Sequence, residues 1–364
     1  MSQSRLEFDI EGTDVSVLNA IRRVGLSEIP NVAVNFDSYD PVNSDIRFIK
    51  NTSVLHNEYT GHRISLLPLC FDEAEIENFD PTLYKFVIEV KGEKRVTTGD
   101  IKIYDEHGSL YDRAFHDKIF PADPVTKGYI IVTKLKSAEE ELHVEFTATK
   151  GIAKTHARWS PVSTCTYFNN LDEKKVAEAR ALVDTTTNPS AMNKFETLDK
   201  FRLFKKNEYD EAISFHVIIE SECRMRPSYI FDTAVKVIQD KLRGLDDKFR
   251  VTIIEESIHM YAVEVNGEDH TIGNLLQAFI FNEYVRKEDR VDFVGYVHPH
   301  PLEDRIFFKI RFLDSATEGQ STEGCLEFFK EATSRAVEMM KGVTIPTTKA
   351  KKAPKKSTNK STIK

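Results

Sequence analysis

The residues of this chain best equipped for chemistry sit together in NGEDHTIGN, 266–274: Asp269 beside His270, then the hydroxyl of Thr271, bounded by Gly267 and Gly273. An Asp–His pair can move a proton, and a hydroxyl among glycines can hold phosphate. The phosphate reading fits poorly, because the two glycines are too far apart and the Lys of a P-loop is missing. The proton-transfer reading needs a partner and a substrate within reach.

The chain carries the same pattern twice. Residues 12–21, GTDVSVLNAI, align without gaps on 267–276, GEDHTIGNLL. Gly12 matches Gly267, Asp14 matches Asp269, Ser16 matches Thr271, and Asn19 matches Asn274. Val15 stands where the second copy has His270, so proton shuttling is not a role both copies keep. What both can share is a corner between a strand and a helix. The Gly permits the turn, and Asp14 or Ser16, like Asp269 or Thr271, can cap a first free helix amide, an interaction of about 1 kcal/mol. Asn19 and Asn274, one turn in, are placed to tie each corner to a neighbouring segment.

The elements that must position these corners follow from periodicity. Alternation of apolar and polar residues predicts strands at 6–10, 84–90, 142–146, 213–217, 261–265 and 305–312. Helices are predicted at 228–245, with Ile230, Ala234, Val237, Ile238 and Leu242 on one stripe, and at 322–341, with Leu326, Phe329, Ala332, Ala336 and Met340. Gly244 reads as a left-handed cap of the first and Gly342 as the stop of the second. Segment 168–210 is polar, with one helical run at 173–183 and then a loop, TTTNPS. From 347 onward no apolar pattern remains, and disorder is expected.

These readings give an α+β fold. Two related strand–helix–sheet–helix halves form an intramolecular pseudo-dimer, and helices beginning at Val17 and Ile272 pack across its axis.

Composition sets the remaining bounds. The chain has 364 residues, enough for two or three domains, with 40% hydrophobic and 30% charged residues and no apolar run of membrane-spanning length. The start, MSQSRLEFDIEG, does not read as a signal peptide, so an intracellular, soluble protein is expected. Cys70, Cys165, Cys223 and Cys325 are scattered, which disfavours a disulfide framework or a metal site and reads as buried, reduced thiols. Net charge is −8, and the seven lysines after residue 346 leave the body at −15. Little direct nucleic-acid contact is expected of so acidic a body.

With these residues in view, the chain resembles the assembly platform of multi-subunit RNA polymerases: bacterial alpha, the archaeal D and L pair, and the third and eleventh subunits of eukaryotic polymerase II. LNAIRRVGLSEIPNVAV at 18–34, SVLHNEYTGHRISLLPL at 53–69 and GIAKTHARWSPVSTCTY at 151–167 resemble the larger partner. EDHTIGNLL at 268–276 and FVGYVHPHPLEDRIFFKI at 293–310 resemble the smaller one. The resemblance implies a fused form of a normally two-chain platform, similar to fusions in nucleocytoplasmic large DNA viruses. The domains it implies are 1–69 with 168–250 as half one, 70–167 as a mainly β insertion domain that interrupts the first half, 251–346 as half two, and 347–364 as the tail.

Such a subunit has no catalytic residues and no cofactor. It holds the second-largest and largest catalytic subunits, with small subunits as further candidate partners, in host cytoplasm or nucleus or packaged in the virion, and without membrane contact. Asn19, Arg22 and Arg23, then His156, Arg158 and Trp159, occupy the family's partner-contacting positions. Asp14, Ser16, Asp269, Thr271, Asn274, Leu275 and Leu276 fall at the corners and the pseudo-dimer interface. Plainer readings stand beside these: Arg22 and Arg23 as solvated helix charges, Trp159 packed under its own loop, His62 and Arg63 as structure at a domain junction, and His298 and His300 in a rigid turn. No metal is expected, because 70–150 has only Cys70 where many relatives carry a cysteine cluster. No counterpart of bacterial alpha's DNA-reading domain is expected.

Overall fold

The structure is a computed structural model that describes residues 4–183 and 190–346. Residues 185–189 of the expected loop at 185–190, and the expected disorder from 347 onward, lie outside the described residues.

Strand β1 (Arg5–Glu11) turns into helix α1 (Val15–Ser27). β2 (Asn31–Ala33), β3 (Ile46–Asn51) and α2 (Asn57–Ser65) follow, then α3 (Glu73–Glu77), β4 (Lys85–Lys91), β5 (Lys94–Thr97), β6 (Ile101–Tyr104), α4 (Arg113–Ile119), β7 (Ile131–Leu135) and β8 (Glu141–Phe146). The chain returns through β9 (Thr149–Gly151), β10 (Val162–Asn169), α5 (Glu173–Ala181), α6 (Ala191–Thr197), β11 (Ser214–Ser221) and α7 (Pro227–Arg243). The last third is β12 (Phe249–Glu255), β13 (Met260–Asn266), α8 (His270–Ile280), β14 (Val291–Val297), β15 (Arg305–Phe312) and α9 (Thr322–Lys341).

Two antiparallel sheets carry the halves, in the orders β1-β11-β10 and β12-β13-β15-β14. Their registers pair Phe8 with Val217 and Val263 with Phe308, which puts Phe8, Ile10, Phe215, Val217 and Ile219 on one buried face and Tyr261, Val263, Ile306, Phe308 and Ile310 on the other. Period-two alternation makes each strand half-buried. α1 and α7 cover the first sheet, and α8 and α9 cover the second. α1 then packs on α8, and α7 on α9, so four helices form the layer between the sheets.

That layer is apolar because every helix shows the core a stripe at helical spacing. Leu18, Ile21 and Val24 of α1, Ile272, Leu275 and Leu276 of α8, Ile230, Ala234 and Ile238 of α7 and Phe329, Ala332 and Ala336 of α9 all belong to one continuous core. Burying each large aliphatic or aromatic side chain is favourable by about 1.5–3 kcal/mol. Leu275 and Leu276 are both fully buried in this core. α8 runs on into a π-helical turn, Phe281–Val285, that buries Tyr284 against Phe328, ring centroids 4.7 Å apart.

The sheet β3-β8-β4-β6, with Phe86 stacked on Phe146 at 5.2 Å, takes β4, β6 and β8 from 70–167 and β3 from before residue 70. Ribbons β5-β7 and β2-β9 complete the insertion and join it to the first half. Arg63 of α2 donates to the carbonyls of Ile131 and Val132 at 2.8 and 2.7 Å, fixing that helix to β7.

Three expectations need correction. Gly244 is not a left-handed cap, since its φ is −76°, whereas Gly342 stops its helix as expected, at φ −75°. Both helices end in a tightened turn, with the Leu245 amide on the Leu242 carbonyl and the Gly342 amide on Met339, which satisfies carbonyls without a left-handed residue. Helices α1 and α8 begin two residues earlier than Val17 and Ile272, because the capping Asp sets the start. The four cysteines are not all reduced: Cys70 and Cys223 form a disulfide, their Cα atoms 4.9 Å apart across 153 residues of sequence. Scatter along the chain hid a pairing made by the fold. Cys165 and Cys325 are free and buried.

Candidate functional site

The two corners are built alike. Gly12 and Gly267 take φ of 73° and 78°, a left-handed conformation that favours glycine. Each donates its amide to the strand alongside, Gly12 to the Ile213 carbonyl at 2.9 Å and Gly267 to Asp304 at 2.6 Å. The Ser16 amide then donates to Asp14 Oδ1 at 2.7 Å, and the Thr271 amide to Asp269 Oδ1 at 2.8 Å. The Asp, not the hydroxyl, is therefore the cap at both ends of the repeat.

The second corner is sealed by cations from the first half. Lys154 reaches Asp269 at 3.1 Å and Arg23 stands 4.0 Å from it, while Arg23 Nε donates to the Thr271 hydroxyl at 2.8 Å. Burial works against the Asp269 charge, but the Thr271 amide and hydroxyl and the Lys154 ammonium outweigh it and hold the carboxyl well below the usual range. Next to it the buried Glu268 meets Lys248 at 3.1 Å and Lys241 at 3.6 Å, and Lys241 also reaches Glu28 at 2.7 Å. Burial would lower the Lys241 pKa, yet Glu28 and Glu268 raise it on balance.

This geometry does not assemble an Asp–His dyad. The Asp269 carboxylate is turned to an amide and two cations, whereas His270 faces outward, its Nδ1 3.1 Å from the Tyr296 hydroxyl and its ring 4.9 Å from that of His298. A cavity of about 860 Å³ lies beside the first corner. In its lining Arg286 binds Glu211 at 2.8 Å and lies 4.1 Å over Tyr209. Among the described residues no group of three or more His, Cys, Asp or Glu is disposed to hold a metal ion.

The remaining candidate residues divide between the surface and the interior. Arg22 donates to Asn19 Oδ1 at 2.9 Å, so Asn19 braces its own helix rather than a neighbouring segment. Arg23 is committed to the Thr271 corner. His156 Nδ1 accepts the Arg158 amide at 3.1 Å and caps the short turn Ala157–Trp159, and burial, then the Arg158 and His62 charges, lower its pKa. Arg158 donates to the carbonyls of Val34 and Phe36 at 3.1 and 3.0 Å. Trp159 is 6% exposed, and its Nε1 donates to the Thr149 carbonyl at 3.0 Å. A Cβ on Gly151 would stand 2.6 Å from the Trp159 ring, so glycine is required there. This segment clasps β2 and β9 onto the first half, and Trp159 is turned inward. Lys154, Glu28, Glu268 and Lys241 went unnoticed in the sequence, although Lys154 lies inside GIAKTHARW.

Comparison with known proteins agrees with the duplicated geometry. The RNA polymerase Rpb3/Rpb11 dimerisation domain matches residues 7–242 and, through a second model of the same description, 261–344. Relatives include the DNA-directed RNA polymerase II subunit RPB3 of Schizosaccharomyces pombe, 26% identical over 303 residues that cover 74% of this chain and 96% of the relative. RPAC1 of RNA polymerases I and III from Mus musculus is 24% identical over 68% of this chain and 82% of its own length. The chain belongs to the RNA polymerase Rpb3/Rpb11 dimerisation-domain family, with two such domains in tandem.

Proposed function

We propose that this chain is a non-catalytic assembly subunit of DNA-directed RNA polymerase, a fusion of the larger and smaller partners of the family's platform. In this reading it docks the second-largest and largest catalytic subunits. The observation that carries the proposal is the tandem match at 7–242 and 261–344, together with the packing of α1 on α8. A single chain then supplies both sides of an interface that two chains otherwise make.

The domains divide as 1–69 with 168–250, an insertion at 70–167, and 251–346, with the tail from 347 peripheral to assembly. A nucleocytoplasmic large DNA virus is the proposed source, and host cytoplasm, nucleus or virion the proposed setting. The docking face draws on outward side chains rather than on Trp159. Val54, Tyr59 and Leu66, within the family-like stretch at 53–69, are 59%, 64% and 49% exposed, and apolar groups left in water suit a partner surface. In the other two stretches Ala157 is exposed and Arg22 is half-buried.

The test is purification of the tagged full chain from its native source, with mass spectrometry of what is retained. Two very large polymerase subunits in equal amount with this chain are expected. Recovery of the chain alone, or with unrelated proteins, would remove the proposal.

A further inference from the structure

Two of the four cysteines meet where neither the corners nor the clasp needs them. Cys70 follows α2 where the chain leaves the first half for the insertion, and Cys223 sits on the turn between β11 and α7. Cys70 is buried, its amide on the Ile119 carbonyl at 3.1 Å. Cys223 is half-buried and borders a cavity of about 190 Å³ that Leu66, Pro161, Arg158 and Met225 also line. One sulfur is thus reachable and the other is shielded.

The same junction is tied by polar bonds. Arg226 binds Glu73 through two nitrogens at 2.7 and 2.9 Å, Tyr229 donates to Glu77 at 2.9 Å, and Arg224 donates to the Lys118 carbonyl at 3.2 Å. These contacts hold the insertion against α7 whether or not the sulfurs are joined. The disulfide is therefore a lock on a joint that already exists. Cys165 and Cys325 contrast with this pair, since burial pushes their thiols up to about 11 and about 12, which keeps them unreactive.

We propose that the Cys70–Cys223 pair is a thiol–disulfide exchange site, closed by low-molecular-weight disulfides and opened by low-molecular-weight thiols that reach Cys223 through this cavity. Closing locks the insertion to α7. In the closing direction the Cys223 thiolate attacks one sulfur of the small disulfide, forming a mixed disulfide and releasing one small thiolate. The Cys70 thiolate then attacks the Cys223 sulfur and releases the second. The two protons from the cysteines end on the two small thiols, and the small disulfide is the electron acceptor. This inference does not depend on the proposed polymerase role.

The test uses the full chain, oxidised or reduced glutathione as the probe, and iodoacetamide labelling read by peptide mass spectrometry. After oxidised glutathione and denaturation, Cys165 and Cys325 should label while Cys70 and Cys223 do not. After reduced glutathione without denaturation, Cys223 should label while Cys165 and Cys325 do not, and trypsin should cut faster within 70–167. Labelling of all four in the oxidised sample, or no opening under native reduction, or unchanged trypsin cutting, would overturn the proposal. Cys70→Ser should trap glutathione on Cys223, whereas Cys223→Ser should leave Cys70 unmodified. Equal trapping in both variants would refute the cavity as the route.

Discussion

Replacing each capping Asp by Ala should affect the two corners unequally, because they share a cap and differ in what surrounds it. Asp14→Ala removes one acceptor for the Ser16 amide, a loss of about 1 kcal/mol. Asp269→Ala removes the equivalent acceptor for Thr271 and also leaves Lys154 and Arg23 facing each other without an anion. Those side chains are 48% and 40% exposed, so their pairing adds only about 0.5–1 kcal/mol after solvent screening. The total for Asp269→Ala is then about 1.5–2 kcal/mol. Asp269→Asn keeps the cap and loses the charge, and should cost about 0.5–1 kcal/mol.

The assay is urea unfolding of the three variants, with hydrogen exchange at the Thr271 amide as a local reading. Loss of its acceptor should speed that exchange about 5-fold for each kcal/mol. The pH dependence has a definite sign. The folded Asp269 carboxyl titrates below its unfolded value near 3.9, so its contribution is fully present above about pH 5 and is lost as pH falls through the folded pKa. The gap between wild type and Asp269→Asn should therefore be constant near neutrality and close in acid. Equal losses for Asp14→Ala and Asp269→Ala, or a gap that widens in acid, would refute the reasoning.

Trp159→Ala should cost about 3–5 kcal/mol and loosen the β2-β9 ribbon in hydrogen exchange, since it empties a buried site and orphans the Thr149 carbonyl; a loss below about 1 kcal/mol would contradict the clasp. His270→Val, which installs the residue of the first copy, should change unfolding by no more than about 0.5 kcal/mol and leave transcription by the assembled polymerase intact. A collapse of activity with the assembly preserved would restore an Asp–His catalyst.

The parts of this fold legible in the sequence are those that repeat or alternate. The corner pattern at Asp14 and Asp269 is local, with turn, cap and first helical turn within ten residues, and the structure builds both with a left-handed Gly and an Asp cap, the helices starting two residues earlier than read. Strand Arg305–Phe312 and helix Thr322–Lys341 likewise match their predicted bounds, because one buried face leaves a regular trace. What the sequence concealed depends on where side chains meet after folding. Lys154 crosses to Asp269 from 115 residues away, and Cys70 finds Cys223 over 153. HARW resembles a partner-binding phrase, but whether Trp159 points outward is decided by the three-residue ribbon β2-β9, too short to show periodicity. Gly244 misled because a glycine after a helix suggests a left-handed cap, whereas a tightened last turn served instead.

The central claim is that two halves joined in one chain form a dimer-like interface held by helix packing. A protease site inserted between Asp246 and Asp247, both exposed in the turn after α7, tests it after the folded chain is cut. The account predicts that the pieces 1–246 and 247–364 elute together at micromolar concentration, also in high salt, since apolar packing of α1 on α8 and α7 on α9 is not screened. Pieces that separate would contradict it.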